Sequence, residues 1–129
     1  MKKILFCLII TFTVSCSASP QSFLNRIYNI DISDLSYDVI DLNDEWCING
    51  DYSYWLQLKI INNDDVIVDK LIDIGAKQFP IPTTMCPLRF IEYTSSTNGY
   101  YFAYEDDSCF KILIYDNESD MLYAYSYQI

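Results

Sequence analysis

Carboxylates and phenols are the reactive groups this chain has in quantity: 18 Asp and Glu and 12 Tyr among 129 residues, with no His. Without imidazole, Ser-His-Asp and Cys-His catalysis have no proton carrier, and the commonest metal ligand is missing. Paired carboxylates hydrolyse glycosides when held about 5 to 9.5 Å apart. Eighteen acids put some pair at any separation, so their number singles out no site. Gly50, Gly75 and Gly99 are isolated and build no phosphate loop. Calcium is the better ion to consider, because Asp116-Asn117-Glu118-Ser119-Asp120 and Glu105-Asp106-Asp107 are rich in oxygen. Neither has the central Gly and distant Glu of an EF-hand loop, and solvated hairpin turns account for both. No catalytic residue, metal site or cofactor is expected.

Side chains suited to binding are more prominent. Residues 31–51 hold Asp31, Asp34, Asp38, Asp41, Asp44, Glu45 and Asp51, and no Lys or Arg occurs between Arg26 and Lys59. On a strand edge such a run attracts a basic partner, or it deters edge-to-edge pairing. Tyr100, Phe102 and Tyr104 share one face of a strand, with Tyr101 on the other. Tyr123, Tyr125 and Tyr127 form a second ladder, which either packs inward with hydroxyls at the rim or faces a partner. The expected contacts are Asp38, Asp41, Asp44, Glu45, Glu105, Asp106 and Asp107, with Tyr101 and Tyr125 as aromatic anchors. The net charge of −10 argues against nucleic acid, whose phosphates need clustered Lys and Arg, and against an anionic membrane surface. It favours a basic protein.

The elements that position these groups begin after a leader. Lys2 and Lys3 precede an apolar run over residues 4–14, too short to span a bilayer, which needs about 20 apolar residues. Residues 1–15 read as a secretory signal peptide. Thr13-Val14-Ser15-Cys16 reads as a lipobox with Cys16 as the lipidated residue, and cleavage after Ala18 is the alternative. Two acyl chains anchor stably where one is marginal. The expected place is the periplasm, at the outer membrane if the host has one, with the anchor as the membrane contact. Residues 16–25 read as a tether and 26–129 as a single domain. Lys2 and Lys3 leave with the leader, so the processed chain is more acidic still.

Cys47, Cys86 and Cys109 remain in the domain. An oxidising compartment permits a disulfide. Cys47 with Cys86 is the preferred pair, closing a loop of about 40 residues, and the pairing stays open. Cys109 reads as a small buried hydrophobe.

The clearest period-two run sets Tyr54, Leu56, Leu58 and Ile60 on one face and Trp55, Gln57, Lys59 and Ile61 on the other. Residues 66–71 read as its return strand after the turn at 62–64. Further strands are expected at 37–42, 46–48, 88–93, 100–104, 109–115 and 121–128, with 25–32 as an edge strand or lead-in. Residues 77–87, with Pro80, Pro82 and Pro87, read as a crossover. No helical period of ten residues is seen after the leader. The fold class expected is all-β: a small antiparallel β-sandwich or barrel-like meander of about seven strands.

The order of these features resembles a group of small periplasmic lipoproteins grouped as immunity proteins for type VI secretion effectors. The resemblance rests on Cys16, Trp46-Cys47-Ile48, a following hairpin, Thr84-Met85-Cys86-Pro87, and Gly99-Tyr100-Tyr101-Phe102-Ala103-Tyr104. Cys109 and Thr13 depart from the pattern. The resemblance implies a non-enzymatic protein that binds an incoming toxin and occludes its active site, with Cys47 and Cys86 as structural positions. The alternatives are an inhibitor of lysozyme or another hydrolase, and a structural lipoprotein of envelope assembly.

Overall fold

The computed structural model describes residues 19–46, 50–62 and 64–128. The leader with Cys16, and Cys47, lie outside the described residues. Six strands form one open antiparallel sheet: β1 (Ser36–Trp46), β2 (Tyr52–Asn62), β3 (Lys77–Gln78), β4 (Gly99–Glu105), β5 (Cys109–Asp116) and β6 (Met121–Gln128). Their spatial order is β1-β2-β6-β5-β4-β3. The antiparallel all-β expectation holds in its meander form, since β4, β5 and β6 pair successively. The described strands number six.

Alternation builds two apolar faces. Tyr54, Leu56, Leu58 and Ile60 of β2 are all buried, as the period-two reading requires. Their register neighbours Ala124 and Leu122 on β6, then Leu113 and Tyr115 on β5, continue the same face. The opposite face carries Trp55, Tyr123, Tyr125, Ile112, Ile114 and Tyr101. A sheet that is apolar on both sides must be covered on both.

Two helices cover the first face, and both correct the sequence reading. Helix α1 (Pro20–Tyr28) occupies residues expected to be tether and lead-in strand. Ser19 caps it, accepting a hydrogen bond from the Ser22 N–H at 3.1 Å, and Pro20 fills a first-turn position that needs no donor. Asn29 ends it in the left-handed conformation. Phe23, Leu24 and Tyr28 drop into the core, where Phe23 stacks on Tyr54. The Tyr28 hydroxyl reaches the Ile112 and Tyr125 carbonyls at 3.0 and 2.9 Å, and the Lys111 ammonium donates to the Ile27 carbonyl at the negative helix end.

Helix α2 (Asp64–Asp73) replaces the expected return strand. Ile67 and Leu71, four apart, are both fully buried, so the burial follows a helical period. Lys70 pairs with Asp34 at 3.2 Å, tying α2 to the segment leading into β1.

The second face is covered by residues 79–94. The expected strand at 88–93 is a 3₁₀ segment, Leu88–Thr94. Phe90 and Tyr93 are buried at its three-residue spacing and pack with Phe79, Ile81, Ile112 and Ile114. Gly99 is buried where a Cβ would collide with the Phe79 ring and the Tyr115 carbonyl, so this position closes the sheet against that cover.

Among the described residues, the Tyr54 hydroxyl is a fully buried side-chain oxygen without a hydrogen-bond partner. Burial first, and then Tyr52 and Asp44, push its pKa up to about 12. Tyr54→Phe removes an unsatisfied polar atom and keeps the ring against Phe23. It is expected to raise unfolding free energy by about 1 kcal/mol at neutral pH, read by urea denaturation. A raised phenol pKa contributes stability below its ordinary value of 10.0 that is lost as pH rises toward 12. The advantage of Tyr54→Phe therefore widens across that interval.

Candidate functional site

The cover on the second face stops before it reaches β1. Between β1 and the 3₁₀ segment lies an open groove of about 600 Å³. Trp55 and Tyr123 line it from β2 and β6, Phe90 and Tyr93 from the 3₁₀ segment, and Asp41 and Asn43 from β1. Trp55 stacks on Phe90 with centroids 5.7 Å apart, and Phe90 meets Tyr123 edge-on at 5.5 Å.

Charge enters the groove at two points. The Arg89 guanidinium carbon sits 4.3 Å from the Trp55 ring centroid and 5.5 Å from that of Tyr125. The Trp55 indole N–H donates to the Asp41 carboxylate at 2.9 Å. One indole thus carries a cation on its face and an anion at its edge. Tyr93 donates to Asp116 at 3.0 Å, and burial, then Tyr123, then that carboxylate hold its phenol far above its ordinary pKa.

On the 3₁₀ segment Leu88 and Ile91, three apart, are 85% and 61% exposed. On β1, Val39, opposite Leu58 on the helix side, and Ile40, at the register shift, are about half exposed. The groove thus combines an aromatic floor with one cation and one anion held on the same indole. Among the described residues no group of three or more acids or thiols is placed to hold a metal ion.

The structure separates the expected contact residues. Asp38, Asp41, Asp44 and Glu45 are all exposed on β1, the outermost strand. The alternation puts Asp41 and Glu45 on the groove side and Asp44 on the helix side, opposite Tyr54. Tyr125 is half-buried beneath Arg89 and beside Phe110, on the groove's face of the sheet but outside the groove's lining. Tyr101 is a correction. It is 7% exposed and packs under the residue 79–94 cover, so it is no surface anchor.

Glu105, Asp106 and Asp107 lie at the β4–β5 turn, four strand spacings from β1, roughly 19 Å. They form no common patch with the β1 acids. Asp106 organises the turn: its carboxylate accepts from the Ser108 and Cys109 N–H groups, each at 2.8 Å, and from the Tyr104 hydroxyl at 2.9 Å. Cys86 is a free thiol whose Sγ donates to the Phe90 carbonyl at 3.2 Å, and Cys47, its expected partner, lies outside the described residues. Cys109 is free and half-buried.

Sequence reasoning missed Trp55, Arg89 and Phe90 as site residues. A signal for Trp55 existed, since it stands on the face opposite Tyr54 and Leu56. Arg89 had none, because residues 88–93 read as a strand. The chain matches no known family model, no curated protein and no solved structure.

Two outcomes follow. A double-mutant cycle with Arg89→Ala and Trp55→Phe, read by urea denaturation, is expected to give a coupling of about 0.5–1 kcal/mol. Hydrogen bonds from Ser108 N–H first, then Tyr104, hold the Asp106 pKa below its ordinary 3.8. A depressed carboxylate contributes stability above that value and loses it as pH falls through the folded pKa. Asp106→Asn should therefore lose more stability near neutrality than in strong acid, and an NMR titration should place the Asp106 midpoint below 3.8.

Proposed function

We propose that the processed chain is an exported lipoprotein, anchored through Cys16 and facing the periplasm, that binds another protein and acts by covering it, without turnover. The observation that carries this reading is the row of exposed acids on β1 bordering an open aromatic groove. Acids without intervening cations draw in a basic partner and orient it, and the aromatic floor with Leu88 and Ile91 supplies the apolar area to be buried. The resemblance to type VI immunity lipoproteins supports a toxin as that partner, neutralised by occlusion of its active site. No described helix is long and apolar enough to cross a membrane; in this reading the lipid on Cys16 is the membrane contact.

The triple variant Asp41→Lys, Asp44→Lys and Glu45→Lys tests the reading. Binding is measured by calorimetry against the product of the adjacent gene and against a basic lysozyme, at low and high salt. Affinity for the partner is expected to fall about tenfold or more at low salt, with a flattened salt dependence. Unchanged affinity and salt dependence for a partner that binds the natural chain would overturn it. Binding to the lysozyme alone would reassign the domain as a hydrolase inhibitor.

A further inference from the structure

We propose that the outer edge of β1 receives an extended basic segment of the partner as a seventh strand. This deepens the binding reading above and rests on it. β1 is eleven residues long and, among the described residues, pairs on one side, with β2. In an antiparallel pair, alternate residues direct their N–H and C=O groups to the neighbour and the rest direct theirs away. About half the backbone of β1 therefore faces outward, and no described strand meets it.

The sheet's two ends differ. Its other edge, β3, is only two residues long, a length that offers an incoming strand little to pair with. β1 has no such protection along its second half. The ladder shifts register between Val39 and Asp41, then runs without interruption over residues 41–46 against Gln57 to Tyr52. Six regular residues are a template long enough for strand addition.

Charge decides the occupant. Asp41, Asn43 and Glu45 lie on the groove face and Leu42 and Asp44 on the other, with no cation on the strand. A second copy of this chain would set acids against acids, and like charges on facing strands destabilise pairing. A strand with Lys or Arg at every second position would meet Asp41 and Glu45 on the groove face. Its intervening apolar residues would lie beside Leu42, which is 39% exposed. The acids so repel copies of the chain and select a cationic strand, and the backbone supplies the bonds.

The probe is an eight-residue peptide alternating Lys and Val, capped at both ends and added to the folded domain. Hydrogen exchange of the amides of residues 41–46 and the affinity are both read. The expected result is saturable binding that slows exchange along those residues. Methylating alternate backbone nitrogens keeps the charge but removes donors. Of the two methylated registers, the one facing β1 is expected to bind about tenfold more weakly. If both methylated peptides bind within about twofold of the parent and the β1 amides stay unprotected, strand addition is overturned. That result leaves the acidic surface reading standing, because the charge-reversal variant tests it separately. Failure of the parent peptide to bind also overturns strand addition. Concentration-dependent protection of β1 without peptide would overturn it in favour of a second copy.

Discussion

A sheet that is apolar on both faces, which the described residues cover unequally, is the constraint from which the rest of this structure follows. β5 shows it directly: Ile112, Leu113, Ile114 and Tyr115 are consecutive and all fully buried, so neither side of the strand meets water. Two helices suffice for one side. The other receives a Pro-punctuated loop and one 3₁₀ segment, whose Phe90 and Tyr93 reach across β5 and β6 and stop at Trp55. Everything beyond that line, the groove and both flanks of β1, is open because the covering residues end there.

Electrostatics sharpen that boundary. β1 carries acids on both of its faces and no cation, while Arg89 leans over Trp55 from the opposite wall. An isolated exposed charge is worth little in water, but charges around an aromatic floor gain strength once a partner excludes solvent. Asp41 and Arg89 already touch the same indole, so the partner we propose would meet a preset arrangement.

Legibility of this fold tracked how locally each choice was made. β2 and β6 were readable from alternation, and β4 and β5 as short aromatic or apolar runs bounded by turn signals. α2 was not, because Val66, Ile67 and Val68 are strong strand formers, and the pairing of Ile67 with Leu71 became decisive only against the sheet. The 3₁₀ segment failed for the same reason: Phe90 and Tyr93 fit a strand pattern nearly as well as a three-residue one. α1 carried a legible start in Ser19-Pro20, overshadowed by the small polar residues around it. At the surface, the β1 acids were visible from composition. The groove was not, since it joins residues 41, 55, 89 and 123, and only the sheet order brings them together.

That order has a consequence for how the chain comes to be folded. β6, the last of the described strands in sequence, lies inside the sheet, inserted between β2 and β5. Until residues 121–128 arrive, the β1–β2 hairpin and the β4–β5 hairpin have no shared strand, and each has an unsatisfied inner edge. Neither hairpin is durable by itself in water. Assembly then waits on long-range pairing, which is slow because distant segments must first meet. Pairing of residues 121–128 with β2 on one side and β5 on the other is thus the step that joins the two hairpins into one sheet.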